Sequence, residues 1–194
     1  MKRVAEGLYV KQSAPAYLID YFQHSRVALA LAAPDGNYDL LWVNGPFRVL
    51  TGYSSAEVIG KNCRFLQGDA DNEAAKAKIR QFLQNQDQAS LRTLVVNFRK
   101  DKVPFVNLLS LSRLRGADGT TKYIFASQFD VSRSHPDLLI NYDRELAATL
   151  GGLRSIVKDG GVVVQGTVLT IANTSALVAQ AKMTLAELEN VPDA

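Results

Sequence analysis

The chain contains a single cysteine, Cys63, in the run Gly60-Lys61-Asn62-Cys63-Arg64-Phe65-Leu66-Gln67-Gly68. A lone thiol cannot staple a fold, so it is either inert packing or a reactive group. Arg64 follows it at once, and the amides Asn62 and Gln67 flank it. A second polar set lies downstream. Strand alternation places Thr93, Val95 and Asn97 on one face of their strand, Phe105, Asn107, Leu109 and Leu111 on one face of the next strand, and Ile124, Ala126 and Gln128 on one face of the third. A turn centred near Asp101–Lys102 sets Asn97 roughly opposite Asn107, and one near Asp118–Gly119 sets Gln128 roughly opposite Leu109. Three amides thus converge on an otherwise apolar sheet face. A buried amide without a partner costs about 1–3 kcal/mol. One such group is readily satisfied by backbone or water. Three on adjacent strands point instead to a planar heterocycle with apolar faces and a hydrogen-bonding edge. Arg64 and Arg80 supply guanidinium groups suited to a phosphate.

The elements that must position these groups follow from local signals. Residues 1–22 read as a helical lead-in, with Tyr17, Leu18, Ile19, Tyr21 and Phe22 clustered after Pro15. A segment so short needs something to pack on, either as a cap on the core or as part of a dimer contact. Residues 27–32 read as a buried strand, Pro34 to Asn37 as a turn, and Leu40–Asn44 as the returning strand. Ser54 and Glu57 match a capping box, and Gly60 ends that turn. Residues 72–84 read as an amphipathic helix with Ala75, Ile79, Phe82 and Leu83 near one face. Three strands follow at about 91–99, 104–114 and 121–130, separated by turn residues. Two strands, short helices, then three strands make an α+β fold: one antiparallel sheet of five strands with helices on one face.

Bulk properties narrow the class. With 47% hydrophobic and 21% charged residues over 194 positions, the chain has the composition of an ordinary soluble protein with one domain and appendages. No apolar stretch is long enough to cross a bilayer, and no signal-peptide apolar region follows the basic opening. A free thiol fits a reducing compartment, so the expected location is cytoplasmic. The net charge of +3 is scattered, which argues against a nucleic-acid partner. His24 and His135, with one cysteine between them, make no metal site.

Residues 23–132 resemble the flavin-binding LOV (light-oxygen-voltage) domains of the PAS superfamily, in the manner of a short bacterial LOV photoreceptor. The resemblance rests on the Cys63 run, on Val43-Asn44-Gly45-Pro46-Phe47 and Leu50-Thr51-Gly52-Tyr53, and on Asn97-Phe98, Asn107-Leu108 and Ser127-Gln128-Phe129-Asp130 in that order. It implies a blue-light sensor holding FMN, whose isoalloxazine ring suits the amide-edged face. On that resemblance Cys63 is the photoreactive thiol, forming a reversible bond to flavin C4a. Asn62 and Gln67 contact the flavin and its ribityl chain, and Arg64 and Arg80 hold the phosphate. Asn97 and Asn107 bond the pyrimidine edge, while Leu66, Leu109 and Leu111 pack on the ring. Gln128 lies near N5 and O4 and reports the change in protonation. Departures from the pattern include Ala33, Lys102 in place of a turn glycine, and Gly45-Pro46 in place of a more helical pair.

Residues 1–22 are then an N-terminal cap helix and 133–194 a C-terminal helical extension for dimerisation and output. Within it, residues 137–157 and 162–189 carry apolar helical patterns, the second including Ile171, Ala172, Leu177, Val178, Leu185 and Leu188. A homodimer through the terminal helices is expected, with a downstream effector and no membrane partner. No ATP-binding glycine motif follows residue 137, so an enzymatic output is not expected. Competing readings of the same pocket are a non-photochemical PAS sensor and a flavin redox sensor acting as a dimerisation module.

Overall fold

A computed structural model describes residues 15–140, 142 and 170–189. Its centre is a five-stranded antiparallel sheet in the order β2-β1-β5-β4-β3. The strands are β1 (Ala28–Ala32), β2 (Leu40–Val43), β3 (Ser90–Phe98), β4 (Pro104–Arg115) and β5 (Thr121–Asp130). These match the expected strands to within a residue or so, because alternating apolar runs bounded by turn residues leave little freedom. The last strand therefore sits between β1 and β4.

One face of the sheet is covered by α2 (Gly45–Thr51), α3 (Ser55–Val58), a 3-10 turn over Cys63–Gln67, and α4 (Glu73–Gln84). All but α4 begin where the sequence supplies a cap; at the start of α4 the Asn72 side chain instead bonds the backbone of Val96 in β3. Asn44 accepts a hydrogen bond from the Phe47 N–H at 3.0 Å at the start of α2, and Pro46 fills a first-turn position where no N–H is needed. The departure at Gly45-Pro46 thus still starts a helix. Glu57 accepts from the Ser54 N–H at 2.9 Å, completing the capping box. Asn62 accepts from the Arg64 N–H at 2.9 Å and so caps the turn that carries Cys63. That turn ends at Gly68, at φ +50°, where a Cβ would stand 2.8 Å from the Phe98 ring. Glycine is required there by both backbone and space.

The expectation of helices on one face is incomplete. The other face is covered by α1 (Ala16–Gln23) and by a helix over residues 170–189, α5. Leu18 and Phe22 of α1 pack with Leu29, Leu31, Leu114, Tyr123 and Phe125 of the sheet and with Ala179 and Met183 of α5. Gln180 accepts from the Arg115 N–H at 2.7 Å and donates to its carbonyl at 2.7 Å, so α5 is also pinned to the end of β4. The lead-in helix is therefore a cap on the core; residues 1–14, and the expected helical stretches at 143–157 and 162–169, lie outside the described residues. Among the described residues, no helix is long and apolar enough to cross a membrane.

The β3–β4 register corrects one expectation. Asn97 lies opposite Phe105, and Val95 opposite Asn107. The turn centres on Asp101, with Lys102 at φ +73° taking the left-handed place of the missing glycine. A shift of two residues keeps each side chain on its face, so the amides still converge. Gln128 pairs with Leu109 as expected.

Candidate functional site

The amides form a chain of hydrogen bonds across three strands. Asn107, 1% exposed, donates through Nδ2 to Asn97 Oδ1 at 2.9 Å and to Gln128 Oε1 at 3.0 Å. Asn97 Nδ2 donates to the Val96 carbonyl at 3.1 Å. This network leaves Asn107 Oδ1 and Gln128 Nε2 buried without a partner. One acceptor and one donor, each costing about 1–3 kcal/mol while unmet, stand side by side at one end of a cavity.

The rest of the cavity is mostly apolar. Leu109 and Leu111 of β4, with Ile124 and Ala126 of β5, form its floor. Leu66, Ile79 and Leu83 close it from the helical side. Asn62, Cys63, Arg64 and Gln67 line the same space, so the turn faces the amide-bearing sheet. The turn is held there because residues 60–61 strap onto β2: Leu40 N–H donates to the Lys61 carbonyl at 2.9 Å and Gly60 N–H to the Leu40 carbonyl at 2.8 Å.

Cys63 is half-buried. Desolvation among apolar neighbours pushes its thiol up to about 12. No cation offsets this burial: the guanidinium of Arg64 turns to the rim and donates to Asn37 Oδ1 at 2.7 Å. Cys63 is therefore a neutral thiol that carries its own proton.

Of the residues expected from sequence, Asn62, Cys63, Arg64, Leu66, Gln67, Asn97, Asn107, Leu109, Leu111 and Gln128 all line the cavity. Arg80 does not: it lies on the solvent side of α4, next to Ile79, which does. Ala30, Ala32, Tyr38 and Leu40 line the cavity without having been expected there. Tyr38 lines the cavity from a backbone φ of +54°, unusual for a bulky side chain; its only signal was the preceding turn. Asn44, within the Val43–Phe47 run that carries part of the resemblance, is 2% exposed and ties three elements together, a positioning role that the sequence did not assign it.

The arrangement fits the flavin that the resemblance implies. A flavin pyrimidine edge alternates carbonyl acceptors with an N–H donor, which answers an unpaired amide oxygen and an unpaired amide N–H together. Its ring faces suit leucine and alanine. Among the described residues no group of three ligating side chains offers a metal site.

Comparisons with known proteins agree. The sequence matches the PAS domain family over residues 26–133. It is 38% identical over 115 residues to blue-light-activated histidine kinase 1 of Erythrobacter litoralis, covering 57% of this chain and 30% of that protein. The chain spans less than half the length of the curated relatives it matches. Among solved structures, the Rhodobacter sphaeroides LOV protein superposes with a TM-score of 0.57 at 26% identity, covering 85% of this chain and 93% of that one. A light-oxygen-voltage domain studied with a flavin analogue matches at 30% identity and a TM-score of 0.52, covering 58% of this chain and 83% of that one. With the family match over more than half its length and a cysteine facing three cavity amides, the chain belongs to the PAS family and, within it, to the light-oxygen-voltage domains.

Proposed function

We propose that this chain is a blue-light photoreceptor that holds FMN in the cavity between Cys63 and the amides and signals through a reversible bond made by Cys63. The observation that carries this reading is the neutral Cys63 thiol facing a cavity whose far wall presents one unpaired amide acceptor and one unpaired amide donor. When bound, the flavin supplies blue-light absorption and an electrophilic ring carbon. Cys63 supplies sulfur to that carbon and its proton to the neighbouring ring nitrogen, and recovers both when the bond breaks in the dark. Asn97 and Asn107 hold the pyrimidine edge, and Leu66, Leu109 and Leu111 fix the ring plane and exclude water. Arg64 at the rim, with Arg80 adjacent to Ile79 on α4, receives the phosphate. Gln128 answers the new proton by presenting its oxygen where it had presented its NH₂, an exchange open to any amide side chain. No substrate is consumed; the output is a change in β5 and in what packs on it.

Absorption spectra in the dark, under blue light and during recovery test this. Wild-type protein should be yellow, bleach reversibly and recover. Cys63→Ala should stay yellow and lose the reversible bleaching; bleaching that survives this substitution, or protein that stays colourless with excess FMN, overturns the reading.

We further infer that the chain pairs with a second copy through α5. Its buried face uses Ala172, Ser175, Ala179 and Met183, while Leu177, Leu185 and Leu188 are 70%, 59% and 63% exposed. With Ala181 these leucines recur every three to four residues, the spacing of a helix–helix seam.

A further inference from the structure

A second concavity lies beside the flavin cavity, at the end of β5. It is an open groove of about 1580 Å³ bounded by the start of β1, by α2 and by the residues that follow β5. Small-molecule sites run to about 300–1,000 Å³ and enclose their ligand. This one is larger and open, which suits a segment of a macromolecule. A cylinder about 10 Å wide with this volume would be about 20 Å long, or about four turns of helix.

The chemistry of the groove is one-sided. Four arginines line it against a single carboxylate, Asp130. Arg99 already takes that carboxylate at 2.6 Å. Arg26, Arg48 and Arg133 are exposed, and none of their guanidinium groups hydrogen-bonds or ion-pairs with any group among the described residues. Between the arginines the exposed large apolar groups are aliphatic: Val49 is 85% exposed, Val103 38% and Ile171 40%. Exposed aliphatic groups ringed by unpaired cations match a helix with apolar residues on one face and carboxylates on the other. They match nucleic acid less well, since the aromatic residues of the lining, Tyr53 and Phe129, are half-buried and packed on the interior rather than presented as platforms for bases.

Gln128 lines both this groove and the flavin cavity. The residue that must reorganise on illumination, only 2% exposed, therefore sits on the strand segment that separates the groove from the cavity. We propose that this groove is a docking site for an acidic amphipathic helix of a partner protein, with an affinity that changes when Cys63 reacts. The docking rests on the arginines and the exposed valines; its light dependence rests on the photoreceptor reading above.

The test uses the full flavin-loaded chain and two far-red-labelled amphipathic peptides of about 14 residues, about four turns long. Both have leucines on one face; one carries glutamates on the other and its twin carries lysines. Binding is read by fluorescence polarisation in the dark and under blue light, with bleaching recorded on the same samples. The glutamate peptide should bind at least about tenfold tighter than its twin, a difference of about 1.4 kcal/mol. Combined Arg26→Glu, Arg48→Glu and Arg133→Glu should remove that preference. The triple glutamine version should weaken it, which guards against misfolding of the charge-reversed protein. Light should change the wild-type affinity by about threefold or more, and should not change that of Cys63→Ala.

Equal binding of the two peptides, or no loss on charge reversal, overturns the docking site. So does tighter binding of a labelled single-stranded RNA of the same length. If charge reversal instead splits a dimer of the free protein, the occupant is a second copy and the proposal fails. Normal bleaching with an unchanged affinity overturns the light coupling. Absent bleaching counts against the photoreceptor reading alone, and the charge-reversal result then decides the docking.

Discussion

At the scale of single residues, Cys63 shows how burial sets chemistry. Thiolates are usually the reactive form of cysteine and are favoured by nearby cations. Here desolvation dominates and holds the group protonated, with its pKa pushed up to about 12. Bleaching after a flash should therefore proceed at a rate flat within about twofold between about pH 6 and about pH 9; a rise approaching tenfold per pH unit would mean that a small thiolate fraction reacts. Stability follows the same sign. The folded state keeps this proton up to about 12, whereas the unfolded thiol loses it near its ordinary 9.0, so unfolding releases a proton above that value. The contribution is constant below about pH 9 and falls as pH rises from there towards 12. Comparing urea midpoints of wild type and Cys63→Ser, whose hydroxyl does not titrate there, isolates it. Sequence alone exposed this residue because the motif around it is dense. It did not expose Tyr38, whose place in the cavity depends on a left-handed backbone that its own residue type disfavours.

At the scale of elements, the molecule depends on side chains that stitch one segment to the next. Asn44 accepts from the Leu29 N–H at 2.9 Å and the Phe47 N–H at 3.0 Å, and donates to the Val27 carbonyl at 2.7 Å and the Phe22 carbonyl at 3.3 Å. It joins α1, β1 and α2 at one buried point. Asn44→Ala should cost about 2–4 kcal/mol in urea unfolding, combining a lost cap with backbone groups left unmet in the interior. A loss below about 0.5 kcal/mol would mean water replaces the side chain freely. The contrast with the strands is instructive. Strand limits and faces were legible because alternation has a period of two and survives small errors in the turn. The β3–β4 register was not, since it depends on whether Asp101 or Lys102 takes the centre. The cover on the outer face was hidden for another reason. The large apolar residues of α5 drew attention, yet small ones, Ala172, Ser175 and Ala179, let the helix approach the sheet.

At the scale of the whole molecule, α5 has two apolar faces and the sheet uses only one of them. Replacing both Leu185 and Leu188 with aspartate should convert a dimer to a monomer in light scattering, and leave the yellow colour and the bleaching intact, because neither residue lines the cavity. A wild-type protein that is monomeric at about 100 μM would remove the basis for pairing through this face. The strand order has a further consequence for how the receptor comes into being. The final strand enters between the first and the fourth and brings Gln128 with it, so the sheet is two separate pieces until residue 130 has been made. A nascent chain still short of that point holds its cysteine turn with no completed wall opposite. Chromophore capture thus waits for β5, the strand that closes the sheet and the light-sensitive chamber in the same step.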